Sequence, residues 1–99
     1  MGGQLTASKV ANAFIQRRRL SLGNYRSTGE SFLLFGNVIA EWLENEKGFW
    51  IRDCGWCSQS TATALNALPG VRLRRLNGEW IWNEECKWDG KNKYIEYKP

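Results

Sequence analysis

An α+β fold built on a mainly antiparallel sheet is what this sequence predicts, and three observations predict it. Val10, Ala11, Phe14 and Ile15 recur with the spacing of one helix face. Two β-rich runs, 32–35 and 38–42, flank Gly36-Asn37. Asn77-Gly78 separates two further runs that alternate apolar and polar residues, the strongest short-range hairpin signal there is.

The elements follow in order. Residues 1–7 are small and polar and read as a loose arm, with Thr6 or Ser8 able to cap a first helix over about 7–17. Gly23-Asn24 breaks that pattern. The first hairpin turns at Gly36-Asn37, placing Leu33, Phe35, Val38, Ala40 and Trp42 on one face and Phe32, Leu34, Ile39 and Glu41 on the other. Both faces are largely apolar, so the hairpin belongs in the middle of its sheet. Residues 44–48 are a polar turn, and Phe49 to Arg52 form a third strand. Thr61 to Leu68 read as a short helix with Ser58 or Ser60 as its cap, and Leu68-Pro69-Gly70 ends it. The second hairpin opposes Leu76 with Glu79, Arg75 with Trp80, Arg74 with Ile81 and Leu73 with Trp82. Asp89-Gly90 turns into a last strand around Tyr94–Tyr97. The order is α-β-β-β-α-β-β-β.

Length and composition bound the function. Ninety-nine residues make one domain, 1–99, which buries roughly 60–65% of its unfolded surface. Hydrophobic residues at 42% and charged residues at 24% describe a globular chain, not a disordered one. There is no histidine, which excludes His-based triads and His-containing zinc sites. No apolar run approaches the ~20 residues of a membrane span. The first residues lack the basic and apolar regions of a secretory signal. Three cysteines, an odd number, do not suit a disulfide framework, so a cytoplasmic setting with reduced thiols is expected. The net charge of +4 is divided evenly, +2 in each half, so any basic surface must be assembled by the fold.

Several clusters are candidates for chemistry. Cys54-Gly55-Trp56-Cys57 is a CxxC before a helix, but hairpins rather than a parallel βαβ unit surround it. With Cys86 it supplies three thiols and no fourth ligand, so packing is the plainer role and neither metal nor cofactor is expected. Ser58, Ser60 and Thr61 gather hydroxyls at a helix start, where N-capping competes with anion binding. No lysine-bearing phosphate loop accompanies them. Arg17, Arg18 and Arg19 would fan over about 200° if helical and so cannot address one partner. Arg72 and Arg74 project from one face of the second hairpin beside Ile81, while Arg75 can stack on Trp80. Lys87, Lys91 and Lys93 are a looser set. No carboxylate pair is placed with a base or nucleophile, so no catalytic residue is assigned.

One stretch carries a resemblance. Residues 34–40 (Leu-Phe-Gly-Asn-Val-Ile-Ala), Gly55-Trp56, Ser58, Ser60-Thr61, residues 65–71 (Leu-Asn-Ala-Leu-Pro-Gly-Val), Trp80–Asn83 and Trp88-Asp89-Gly90 resemble a family of small, uncharacterised tailed-bacteriophage proteins. That pattern has His where Phe35 stands and Arg where Ala64 stands, and it does not include Cys54 or Cys57. The resemblance implies a phage product acting in the bacterial cytoplasm and implies no activity. Together with the residues it gives the expectation of a non-enzymatic accessory protein. It would bind a host protein in a counter-defence or takeover role, with a nucleic-acid partner as the alternative. Arg72, Arg74, Arg75 and Ile81 are its first candidate contacts, then Arg17–Arg19 and the Ser58–Thr61 helix start.

Overall fold

The computed structural model describes residues 2–43 and 47–97. Eleven elements follow one another: α1 (Gly2–Ile15), β1 (Arg19–Leu22), β2 (Tyr25–Thr28), β3 (Ser31–Leu34), β4 (Asn37–Trp42), β5 (Gly48–Ile51), α2 (Gln59–Asn66), β6 (Leu73–Leu76), β7 (Glu79–Trp82), β8 (Cys86–Trp88) and β9 (Lys93–Glu96). The six-stranded sheet runs β1-β2-β3-β4-β5-β9 and the three-stranded sheet β6-β7-β8, every pair antiparallel. The α+β class, the two helices and the hairpin sheet are as the sequence predicts; the strands among the described residues are more numerous. No helix among these residues is long and apolar enough to cross a membrane.

Helix α1 begins at Gly2, where the sequence reading placed a loose arm over 1–7. Ala7, Val10, Ala11 and Phe14, all fully buried, lie three and four apart on its inner face. Its end is a Schellman motif: Arg18 N–H donates to the Ala13 carbonyl at 2.7 Å and Arg17 N–H to that of Phe14 at 3.1 Å. Arg17 takes the left-handed position at φ 61°, where glycine is usual. The following β1–β2 hairpin was unread in the sequence. Gly23 turns it at φ 58°, and Ser27 fixes its base by donating its hydroxyl to the Arg18 carbonyl.

The first predicted hairpin forms at the centre of its sheet, but it turns one residue early. Phe35 and Gly36 occupy the turn with φ 52° and 80°, and Asn37 opens β4 opposite Leu34. The register then shifts between Phe32 and Leu33, leaving Ile39 as an extra residue in β4. Phe32 pairs with Ala40 and Leu33 with Val38, so Phe32, Leu34, Ile39 and Ala40 are buried together. Phe35, expected to share a face with Ala40, is 61% exposed. A turn shift of one residue exchanges faces, and the bulge restores the buried side only from Ile39 onward.

Beyond β5, Ser58 caps α2, accepting from Thr61 N–H at 3.2 Å. Asn66 then clamps Leu73, donating to its carbonyl at 2.9 Å and accepting from its N–H at 2.7 Å. That side chain acts as a strand segment and fixes α2 against β6. The second hairpin has the predicted register at all four pairs, with Asn77 and Gly78 at φ 53° and 78°. Strand β8, also unread, adds to β7, while β9 leaves this sheet to pair with β5. The predicted polar turn at 44–48 falls mostly outside the described residues. Helices, both sheets and Ile95 contribute to one buried cluster, with Phe14 stacked or edge-on to Phe32, Trp42 and Phe49.

Candidate functional site

Five of the six tryptophans are tied to something. Trp42 donates to the Phe14 carbonyl at 2.9 Å and lies under Arg17. Trp50 lies under Arg52, and Trp82 under Lys93. Trp80 donates to Asp53 at 2.8 Å and Trp88 to the Lys91 carbonyl at 2.9 Å. Trp56 is 63% exposed, and its indole has no such partner among the described residues.

Trp56 stands at a cleft of about 240 Å³. Leu34, Phe35, Asn37 and Ile39 line it from the β3–β4 hairpin; Asp53, Cys54, Trp56 and Ser58 from the segment before α2; and Ser60 and Thr61 from α2 itself. The volume lies below the roughly 300–1,000 Å³ of sites that enclose whole small ligands. It suits one large inserted side chain. The two exposed rim aromatics are the kind of surface that a partner covers.

The backbone around the cleft is held in an uncommon shape. Phe35 and Cys54 both have positive φ, 52° and 56°, which costs an L residue about 1 kcal/mol or more. Cys54 Sγ donates to the Val38 carbonyl at 3.0 Å, tying the loop to β4. Asp53, 9% exposed, accepts from Gly55 N–H and from the Trp80 indole, each at 2.8 Å, and so braces the cleft floor against the second sheet.

The predicted site residues fall in different places. Ser58, Ser60 and Thr61 are at the cleft, but the Ser58 hydroxyl caps α2 and lies 3.0 Å from that of Thr61, which is the capping use of these groups. Arg17, Arg18 and Arg19 are dispersed rather than clustered. Arg17 covers Trp42, Arg18 Nε donates to Gln16 at 2.8 Å, and Arg19 opens β1. Arg74 and Ile81 sit opposite each other with Lys87 beyond, forming the expected outer face with Arg72 exposed nearby. Arg74 is paired with Glu84 at 2.7 Å and Lys87 with Glu79 at 3.1 Å, so much of that face's charge is offset. Arg75 is exposed, but it does not stack on Trp80, whose ring faces Trp88 at 6.0 Å and whose N–H is taken by Asp53. Cys54 and Cys57 are half-buried while Cys86 is exposed on β8, and no group of three potential metal ligands forms among the described residues.

The exposed Arg74–Glu84 pair sets a modest expectation. Replacing Arg72 and Arg74 together by Ala should move the unfolding free energy by no more than about 0.5–1 kcal/mol. Urea denaturation checks this, and a much larger loss would make the two residues part of the scaffold.

Comparison with protein-family models, with curated proteins and with solved structures returned no match.

Proposed function

We propose that this chain acts by binding rather than catalysis, as an accessory protein of a tailed bacteriophage. In this reading it engages a host protein in the bacterial cytoplasm through the Phe35–Trp56 cleft. The observation that carries the reading is the pair of rim aromatics, 61% and 63% exposed beside an apolar cleft, in a chain that ties up its other tryptophans. Large aromatics inserted into desolvated contacts dominate protein interfaces. The phage resemblance adds support, because Leu34, Asn37, Ile39, Trp56, Ser58, Ser60 and Thr61 belong both to the resembling pattern and to the cleft lining, while Phe35 stands where that pattern has His. These residues come from two distant stretches of sequence that the fold brings together.

Affinity capture from host lysate, with and without nuclease, tests the reading when parent and cleft variants are run side by side. Phe35→Gly removes the aromatic and relieves the positive φ. It should leave stability unchanged or raise it by up to about 1 kcal/mol. Trp56→Ala should change stability by about 0.5 kcal/mol at most. Each should weaken the captured complex by about 2 kcal/mol or more. Capture that survives nuclease and salt but is lost in both variants is the expected result. Equal capture by parent and variants would remove the cleft from consideration.

A further inference from the structure

Going beyond that reading, we propose that the open face of the six-stranded sheet binds single-stranded nucleic acid. Phe32, Phe49, Ile51 and Ile95 point into the core, so their strand neighbours face outward. Registers place Arg26 beside Leu33 and Leu33 beside Val38; Trp50 lies beside Tyr94. Arg52 bridges these two groups. Its Nε donates to the Val38 carbonyl at 2.9 Å, and its guanidinium lies 4.5 Å from the centre of the Trp50 ring. The result is a strip crossing from β2 to β9 that carries two arginines, two aliphatic side chains and two aromatic rings.

Three features fit a nucleotide chain. Arg52 is oriented by its Nε bond and its ring contact, which leaves its two Nη groups to meet a phosphate. Arg26 is exposed, and its side chain makes no ion pair or hydrogen bond among the described residues. Tyr94 is 48% exposed and lies across Gly48, where an added Cβ would come within 2.6 Å of its hydroxyl and collide with the Ile95 carbonyl. The missing side chain lets the ring lie against β5 beside Trp50, as a ready platform for a base. Of the carboxylates on this face, Glu41 lies across from Trp50 and accepts from the Ser31 hydroxyl at 3.3 Å, and Glu96 lies across from Gly48, two residues beyond Tyr94, which leaves the Arg26–Arg52 edge of the strip for the phosphates and the rings for the bases. Cations tracking the backbone beside rings that stack on any base are the physical basis of sequence-tolerant single-strand binding.

Fluorescence anisotropy of a labelled oligothymidylate, titrated with the full chain beside a duplex of equal length, tests the proposal. The single strand should bind better, with a log–log salt slope of about −1.4 for two phosphates. Arg26→Gln and Tyr94→Ala should each weaken binding about tenfold. Tyr94→Phe should retain it, because stacking needs the ring and not the hydroxyl. Phe35→Gly, on the cleft, should leave it unchanged, and thermal melts confirm that each variant is folded. Absence of saturable single-strand binding overturns the proposal, as do equal affinities for strand and duplex or full affinity in both weakened variants. Loss of a nuclease-resistant protein complex in these variants, but not in the cleft variants, would make the face a protein contact and overturn it too.

Discussion

Phe14→Ala is expected to lower the unfolding free energy by about 3–5 kcal/mol, the range for emptying a large buried aromatic site. Phe14 is fully buried and lies 6.0, 5.4 and 5.6 Å from the rings of Phe32, Trp42 and Phe49. Those partners come from β3, β4 and β5, so this one helical side chain joins α1 to three neighbouring strands. Its loss also removes support from one side of Trp42, whose other contacts are Phe49, Tyr97 and the Arg17 guanidinium at 4.2 Å. The Arg17 stack and the helix end it accompanies should loosen together. Small domains hold only about 5–15 kcal/mol in all, so the variant should be marginal. Urea denaturation followed by tryptophan fluorescence measures the loss, and Phe14→Leu should recover part of it. A change below about 1 kcal/mol would mean that the core is not organised around this residue.

What could be read in the sequence was local. The Asn77-Gly78 hairpin was legible to the level of register because both turn positions need positive φ and both residues tolerate it. The α2 cap was legible because a Ser hydroxyl can accept from a free N–H of the first turn, and the stop because Pro69 cannot continue a helix and Gly70 takes a positive φ of 81°. Gly36 was a weaker guide, since a glycine can take either turn position; Phe35 accepted the left-handed place, and the turn moved by one. The β1–β2 hairpin carried a signal that went unread. Gly23-Asn24 separates Arg19-Leu20-Ser21-Leu22, which alternates, from Tyr25-Arg26-Ser27-Thr28, where the pattern is lost because the buried inward position is the polar Ser27.

The site was less legible than the fold. Ser58, Ser60 and Thr61 were marked by their place at a helix start, and they do reach the cleft. Phe35 and Trp56 were not, because composition makes aromatics core residues and only the fold exposes these two. Their approach depends on β4 returning beside β5 and on the Cys54–Val38 tie, contacts that no local pattern encodes. For the arginines, the sequence showed which share a face but not how their charge is used. The shared outer face expected for Arg72 and Arg74 forms, but Arg74 is paired with Glu84 there, and Arg75, expected over Trp80, does not stack on it.

Asp53→Ala is expected to cost about 2–4 kcal/mol, although no sequence pattern marks a lone aspartate after a strand. Its carboxylate accepts from the Gly55 N–H and from the Trp80 indole, and its own N–H donates to the Gly90 carbonyl at 2.9 Å. Three chain segments are therefore joined at one buried group. Removal leaves the Trp80 N–H without an acceptor in a side chain only 2% exposed, and that desolvated donor is the main source of the loss. Trp80→Phe should also destabilise, this time by leaving the carboxylate short of a donor. The double variant should cost less than the two single losses added, and a double-mutant cycle reads that difference. Gly90→Ala provides an independent check through the backbone. Gly90 has φ 81°, and an added Cβ would collide with the Asp53 carboxylate, so the variant should disrupt the same junction while both hydrogen-bonding residues keep their identity. If Asp53→Ala and Gly90→Ala both unfolded like the parent, the cleft floor would not depend on this junction. If both lose stability as expected, variants here cannot test partner binding, and the rim residues Phe35 and Trp56 are the right place to probe it.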